Sequence, residues 1–314
     1  MNRKNTKKSK IKLLNYVKKP KKILGALNSM GFLKFLTDEQ CIKMLFNVRL
    51  DQKPNLENPK TFNEKLNWLK LHNRNPEYSI MVDKYKSKEY ITEKIGEGHV
   101  VPLLGVWDRP EDVNFDELPD KFVIKCNHNS GTGMYICDDK SKLNVKKVRK
   151  NLKKGLKSNY YYFSREWPYK NVEKKIIAEQ FLIDDENDAL TDYKFLCFNG
   201  EPKICYIGKD NSNKPTSDFF DIDFNRLDIR MKDPNSEIPP EKPECFEEMV
   251  KYATILSKDI PFVRVDFYYV NKVVYVGELT FFHNGGFTKM TPPEWDEKLG
   301  KLIKLPIDKV ENKD

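Results

Sequence analysis

Arg264, Asp266, Glu278 and Thr280 are the residues whose types and spacing first suggest chemistry. They sit in two arms dense in β-branched and aromatic side chains, Phe262-Val-Arg-Val-Asp-Phe-Tyr-Tyr and Val273-Val-Tyr-Val-Gly-Glu-Leu-Thr-Phe-Phe, with Asn271-Lys272 between them. That pattern predicts a β-hairpin. Strand alternation puts Arg264 and Asp266 on one face of the first arm, and Glu278 and Thr280 on one face of the second. A two-residue loop with Val270 opposite Val273 leaves Asp266 and Glu278 on opposite faces. A three-residue loop, or one bulge, sets Asp266 across from Glu278 and Arg264 across from Thr280. Two carboxylates facing each other in so apolar a hairpin repel unless a cation lies between them. A pair of solvated surface charges is the plainer reading; the apolar surroundings favour a metal site.

A second group lies earlier. Phe122-Val-Ile-Lys125-Cys leads into Asn127-His-Asn-Ser-Gly-Thr-Gly133 and then Met134-Tyr-Ile-Cys137, which reads as strand, small polar loop, strand. Backbone N–H groups in such a loop can wrap phosphate oxygens, because Gly and Ser permit close approach. Lys125, at its mouth, supplies a counter-charge. A Gly-Ser turn between strands is also common with no ligand. Lys194 stands inside a predicted strand with Asp192 on its face, a charge held toward a cleft. Asp221-Ile-Asp223 matches the D-x-D of metal-using glycosyltransferases, a three-residue pattern that a chain with 47 acidic residues produces often by chance. It carries the alternative reading, a metal-dependent glycosyltransferase. The aromatic run 160–169 suits stacking on a sugar ring, but suits core packing better.

These residues need a scaffold, and 314 residues suffice for one large domain or two to three lobes with a sizeable core. The net charge of +9 suggests nucleic acid only until it is located. Ten of the 56 Lys/Arg fall in residues 1–22, which hold no acid, so 46 basic residues face 47 acidic ones in the remainder. The body is neutral and no nucleic-acid groove is expected. The tail interleaves apolar residues with lysines and suits peripheral docking on an anionic membrane; a solvated tail is the competing reading. Six scattered cysteines without a C-x-x-C spacing read as buried reduced thiols. No spanning segment or signal peptide is legible, so the expected location is cytoplasmic, at most at the inner face of the membrane.

Cys41, Leu45 and Val48 recur at helical spacing, and Thr61 with Glu64 predicts a capping box opening a second helix. A further helix is expected from Met81 to Gly96, a strand over 100–107, a basic helix over 141–158 and a strand over 175–182. Asn199-Gly200 predicts a hairpin turn between strands spanning 192–207. Residues 208–218 read as a polar loop and 231–244 as a Pro-rich one, before a helix carrying Phe246, Met249, Val250, Ala253 and Leu256.

Asp83-Lys84, Lys125, Ala178-Glu179-Gln-Phe-Leu182, Asp192-Tyr-Lys194, Arg264-Val-Asp266 and Glu278-Leu-Thr280, in that order, resemble the ATP-grasp superfamily. The wording Asn-Pro-Lys-Thr-Phe-Asn-Glu-Lys-Leu, Phe-Val-Ile-Lys-Cys-Asn-His and Asp-Tyr-Lys-Phe-Leu-Cys-Phe-Asn-Gly is similar to the TupA-like branch, associated with bacterial surface-polysaccharide and teichuronopeptide synthesis. The resemblance covers roughly 38–305 and implies an α/β ATP-grasp fold. The expected divisions are a basic tail (1–30), a helical layer (31–80), a first lobe with the phosphate loop (81–178) and a second with the metal hairpin (179–308). It implies an ATP- and Mg²⁺-dependent ligase joining a carboxylate to an amine through an acyl phosphate, on a sugar-acid or polysaccharide precursor. Lys84 and Lys125 match the lysines on the α- and β-phosphates. Asn129, Ser130, Gly131, Thr132 and Gly133 match the loop over the triphosphate. Glu179, Gln180, Phe181 and Leu182 match the hinge strand holding adenine and ribose. Lys194 matches a charged position near the γ-phosphate or acceptor, and Arg264 the arginine steadying the acyl phosphate. Asp266 and Glu278 match magnesium ligands. Thr280 departs from a common Glu-x-Asn pattern, offering one neutral oxygen on a shorter arm, with His283 and Asn284 next in line.

Overall fold

Residues 20–184, 190–211 and 214–307 are described by the structure, a computed structural model. All of residues 1–22 but the last three, with the membrane contact expected of them, therefore lie outside the described residues. Five helices come first: α1 (Pro20–Ser29), α2 (Asp38–Leu50), α3 (Phe62–His72), α4 (Glu77–Met81) and α5 (Ser87–Ile95). The Thr61–Glu64 capping box opens α3, and a second box, Thr37 with Gln40, opens α2. A single helix from Met81 does not form. The Asp83 carboxylate accepts from the Tyr85 and Lys86 backbone N–H groups (2.9 and 3.4 Å) and so breaks the run between α4 and α5.

Next come β1 (Leu103–Trp107), β2 (Phe122–Cys126), β3 (Met134–Cys137), α6 (Val145–Lys157), α7 (Tyr161–Ser164) and β4 (Ile176–Gln180). The four strands form an antiparallel sheet in the order β1-β4-β2-β3. Val148 and Leu152 of α6 share its core with Ile124 and Ala178. Part of the aromatic run packs inward, with Tyr161 and Trp167 buried, while Phe163 is exposed.

The remaining elements are β5 (Asp192–Phe198), β6 (Glu201–Asn211), β7 (Lys214–Asp221), α8 (Phe246–Ser257), β8 (Phe262–Val270), β9 (Val273–Thr280) and α9 (Trp295–Leu302). Their strands form a second antiparallel sheet, β7-β6-β5-β8-β9. Asn199 and Gly200, both at positive φ (52° and 85°), make the predicted β5–β6 turn. Residues 208–211 and 214–218 are strand rather than loop: β6 and β7 pair from Ile204–Asp221 out to Asn211–Lys214. β7 is the edge strand of its sheet, a position where polar residues are common. The apolar stripe of α8 covers one face of this sheet, with Phe246 against Phe195 at 5.5 Å between ring centroids. The opposite face is left for polar groups.

The segment 99–102 links the two sheets. Val276 of β9 donates to the His99 carbonyl (2.8 Å), Val100 bridges to Val276 in parallel, and Gln180 donates to the Pro102 carbonyl (3.0 Å). All six cysteines are buried and unpaired, and no helix among the described residues is long and apolar enough to cross a membrane.

Candidate active site

The hairpin has the two-residue loop, and also the bulge that repairs its register. Val270 faces Val273, Asn271 and Lys272 both turn at positive φ (48° and 65°), and the pairing then shifts between Phe267 and Asp266. Gly277 is the extra residue; a Cβ there would lie 2.8 Å from the Tyr268 ring. Beyond the bulge Asp266 faces Glu278 and Arg264 faces Thr280. Because β5 pairs Lys194 with Asp266 and β6 pairs Tyr206 with Lys194, one row crosses the sheet: Phe219, Tyr206, Lys194, Asp266, Glu278.

Arg264 fills the gap between the carboxylates. Its Nε and Nη2 donate to the two Asp266 oxygens, both at 2.6 Å, and Nη2 also donates to Glu278 Oε1 at 2.9 Å. Burial pushes the Asp266 carboxyl up to about 6 although Arg264 and Lys194 oppose it. Glu278 is also penalised by burial, but Lys84, Arg264 and the Thr280 hydroxyl outweigh it and hold it at about 2. Its side chain remains 34% exposed, and Lys84 Nζ lies 3.4 Å from Oε2. Lys194 is paired with Asp192 (2.7 Å). Among the described residues no group of three or more His, Cys, Asp and Glu is arranged to hold a metal. The facing pair nevertheless converges on one cationic group, and Mg²⁺ typically takes one or two carboxylates and completes its shell from water and phosphate oxygens, so the donor set fits that ion.

Sequence reasoning offered His283 only as a stand-in for Thr280 at the metal, whereas the structure places it against Arg264. Arginine can only donate, so His283 Nδ1 accepts from Nη1 (3.2 Å), and burial together with Arg264 and Lys194 keeps the imidazole neutral. Its place immediately after the second arm was the available signal.

Beside the hairpin lies a cavity of about 630 Å³ between the sheets, lined by Lys88, Val123, Lys125, Met134, Ile136, Glu179, Gln180, Phe181, Leu182, Tyr268 and Val276 among others. Its apolar wall suits a flat heterocycle and its cationic end suits phosphates. Lys125 and Lys88 both pair with Glu179, Lys88 at 2.7 Å; burial penalises that carboxylate, and the two lysines still hold it below the usual range. Lys88 was missed, although it follows Lys84 by four residues. Within the loop, Asn129 and Gly133 are pinned to α6 rather than turned to the cavity. The Asn129 amide donates to the Gly155 carbonyl and Ser158 Oγ, both at 3.1 Å. A Cβ on Gly133 would lie 2.8 Å from both Gly155 Cα and Cys126 Sγ. The tip, Ser130, Gly131 and Thr132, has space around Gly131.

On the other side of the row, a cavity of about 300 Å³ is lined by Lys194, Tyr206, Lys209, Phe219, Met231, Lys232 and His283 among others. Asp218 fixes its outer wall: buried, it pairs with Arg226 (2.5 Å) and accepts from Ser236 Oγ (2.6 Å). Asp221, by contrast, accepts from the backbone of Asp223 and Asn225 (3.0 and 2.8 Å), a local turn closing β7.

No curated protein matches the chain. Solved structures similar to it include a D-alanine–D-alanine ligase from Bacillus anthracis complexed with ATP, with 19% identity, 64% of this chain, 54% of that one and a TM-score of 0.39. Another is an N5-carboxyaminoimidazole ribonucleotide synthetase from Thermus thermophilus, with 11% identity, 64% and 45% coverage and a TM-score of 0.38. The chain thus spans about half the length of these two proteins, and at such scores the likeness decides nothing about what it does. The TupA-like ATP-grasp family, in contrast, matches residues 64–304. That span takes in both sheets, the 630 Å³ cavity and the carboxylate hairpin, and the chain belongs to the TupA-like ATP-grasp family, with its α/β ATP-grasp fold.

Proposed function

We propose that the protein is an ADP-forming ligase that couples a carboxylate to an amine at the expense of ATP, acting in the cytoplasm on a sugar-acid or polysaccharide precursor. The observation that carries this reading is the row Lys194, Asp266, Glu278 with Arg264 forked onto both carboxylates, set between a cavity of about 630 Å³ and one of about 300 Å³. The adenine would lie against the apolar wall near Phe181 and Leu182, with Lys84, Lys88 and Lys125 toward the phosphates. The loop tip at residues 130–132 would cover them and exclude water, which an acyl phosphate requires. Mg²⁺ held by Asp266 and Glu278, with Thr280 beside them, would neutralise charge on the phosphates.

In the first step a substrate carboxylate oxygen attacks the γ-phosphorus and the bond to the β-phosphate oxygen breaks, releasing ADP. In the second, the amine nitrogen attacks the acyl carbon, phosphate leaves with the bonding pair, and the nitrogen loses a proton. Arg264 and Lys194 stand where negative charge on the acyl phosphate would develop, and neutral His283 keeps Arg264 aimed there. The acceptor would enter by the 300 Å³ cavity. Residues 1–22 would add a peripheral contact with anionic membrane.

The test is product analysis. Incubation with ATP, candidate sugar acids and hydroxylamine should give ADP, free phosphate and a hydroxamate, with ADP release dependent on the carboxylate. A phosphorylated sugar that hydroxylamine cannot trap, or UDP released from a nucleotide-sugar with ATP untouched, would overturn the ligase reading.

A further inference from the structure

The turn that follows α1 exposes three large apolar side chains within six residues: Met30 (65%), Phe32 (65%) and Phe35 (75%). Its base, however, is tightly held. Phe32 N–H donates to the Leu27 carbonyl (3.0 Å), Arg165 Nη2 to the Leu33 carbonyl (2.9 Å), and the Asn28 amide to the Tyr162 carbonyl (2.5 Å). Gly31, at φ 79°, lies against the Tyr162 ring. This is a hydrogen-bonded knuckle with an apolar tip. Phe163, 44% exposed with Arg49 over its ring at 4.4 Å, extends the apolar surface, and Met30 and Phe163 share a hollow with Lys154 and Lys157 of α6. The thirteen residues of α6 include seven Lys or Arg and no acid.

Exposed aromatics alone name no partner. Here a convex apolar tip stands beside a helix whose outward charge is all of one sign, and that combination fits a surface with an apolar interior and an anionic skin. We propose that this face of the folded body docks on an anionic phospholipid bilayer, with Met30, Phe32 and Phe35 entering the headgroup boundary and Lys154 and Lys157 facing the lipid phosphates. The proposal does not rest on the ligase reading, although Asn129, Ser130 and Thr132 of the loop line the same hollow. It also differs from docking by residues 1–22, since it assigns contact to side chains beyond that segment.

The test uses the full chain and vesicles of phosphatidylcholine with or without phosphatidylglycerol. The protein should sediment with the anionic vesicles at low salt, weakly with the neutral ones, and be released as salt rises. Phe32→Ser with Phe35→Ser should lower the partition coefficient by at least about tenfold while the melting temperature stays unchanged, and Lys154→Glu with Lys157→Glu should do the same. Phe35→Trp should shift its emission to the blue on addition of anionic vesicles. If both paired variants partition like the parent, residues outside this face hold the protein and the proposal fails. Failure of the parent to bind vesicles, or binding of a soluble polyanion in preference to them with no shift in Trp emission, also overturns it.

Discussion

Replacing Arg264 by methionine tests the centre of the site most directly. The guanidinium makes three charged hydrogen bonds, at 2.6, 2.6 and 2.9 Å, to two carboxylates that face each other across one bulge. Methionine replaces the aliphatic stem of the side chain and removes the charged guanidinium. What remains near the pair is Lys84, 3.4 Å from Glu278, and Lys194, level with Asp266 and already paired with Asp192. Removing one partner of a buried ion pair costs about 3–5 kcal/mol. Because Glu278 is partly hydrated, the lower end applies, about 3 kcal/mol, or a melting point lower by about 6 °C for a chain of this size. The loss should depend on pH. Asp266 already titrates near 6, above its ordinary range, so the folded state binds more protons than the unfolded one between those values. Without Arg264 its pKa rises further, so the destabilisation is fullest at pH 8 and shrinks as pH falls through the raised pKa. The vacated position should then take a divalent ion. At about ten times its dissociation constant, Mg²⁺ alone would restore about 1.4 kcal/mol, or about 3 °C, in the variant, while the parent, whose guanidinium competes, hardly moves. Scanning calorimetry with and without Mg²⁺ reads both effects. A variant melting within about 1 °C of the parent, or equal Mg²⁺ shifts in the two, would refute the argument.

Asp266→Asn and Glu278→Gln should each abolish Mg²⁺-dependent ATP turnover in a folded protein, whereas Asp223→Asn should leave it intact; steady-state ADP release decides between them. Lys84→Ala and Lys125→Ala should weaken ATP binding about ten- to a hundredfold, since each removes a charge-assisted contact of about 1.5–3 kcal/mol; unchanged affinity by calorimetric titration would remove both from the phosphate site. Gly133→Ala should destabilise by about 2 kcal/mol or more, because φ is 75° and the new Cβ meets backbone at 2.8 Å, while Gly131→Ala, with open space around it, should cost about 1–2 kcal/mol. Urea denaturation of the pair separates backbone strain from overpacking, and equal losses would show that contact with α6 is immaterial.

Much of this was legible because local rules sufficed. Thr61 and Glu64 announce a capping box and Asn199-Gly200 a turn, and both need only neighbours in sequence. The carboxylate hairpin was legible only as alternatives: Asn271-Lys272 fits a two-residue loop, and nothing nearby says whether Gly277 sits in register or outside it. Where a side chain overruled periodicity, sequence reading failed, as at Asp83, whose carboxylate interrupts a helix that its neighbours favour. It fails again over 208–211 and 214–218, where polarity suggests a loop although strands at a sheet edge can carry polar residues. The pairing of Lys88 and Lys125 on Glu179 was invisible, since it depends on packing α5 against two strands distant in sequence.

The largest gap between sequence and structure concerns α3, whose polar residues look like a solvated face and are buried. Asn63, Asn67 and Lys70 recur at i, i+4 and i+7, and each is satisfied by the turn at residues 283–288, more than 200 positions away. Asn63 exchanges hydrogen bonds with Thr288 (2.9 and 2.6 Å), Asn67 donates to the Gly286 carbonyl (2.7 Å), and Lys70 donates to the carbonyls of Gly285 (2.5 Å) and Ser164 (2.8 Å). Burial brings the Lys70 ammonium down to about 7. So costly an arrangement persists where it fixes geometry that apolar packing would leave loose. The turn it fixes bears His283, and His283 holds Arg264 against the two carboxylates. A helix laid outside the sheets thus sets the position of the arginine at their centre. The motif Asn-Pro-Lys-Thr-Phe-Asn-Glu-Lys-Leu accordingly stands with the site residues although none of its own side chains lines either cavity.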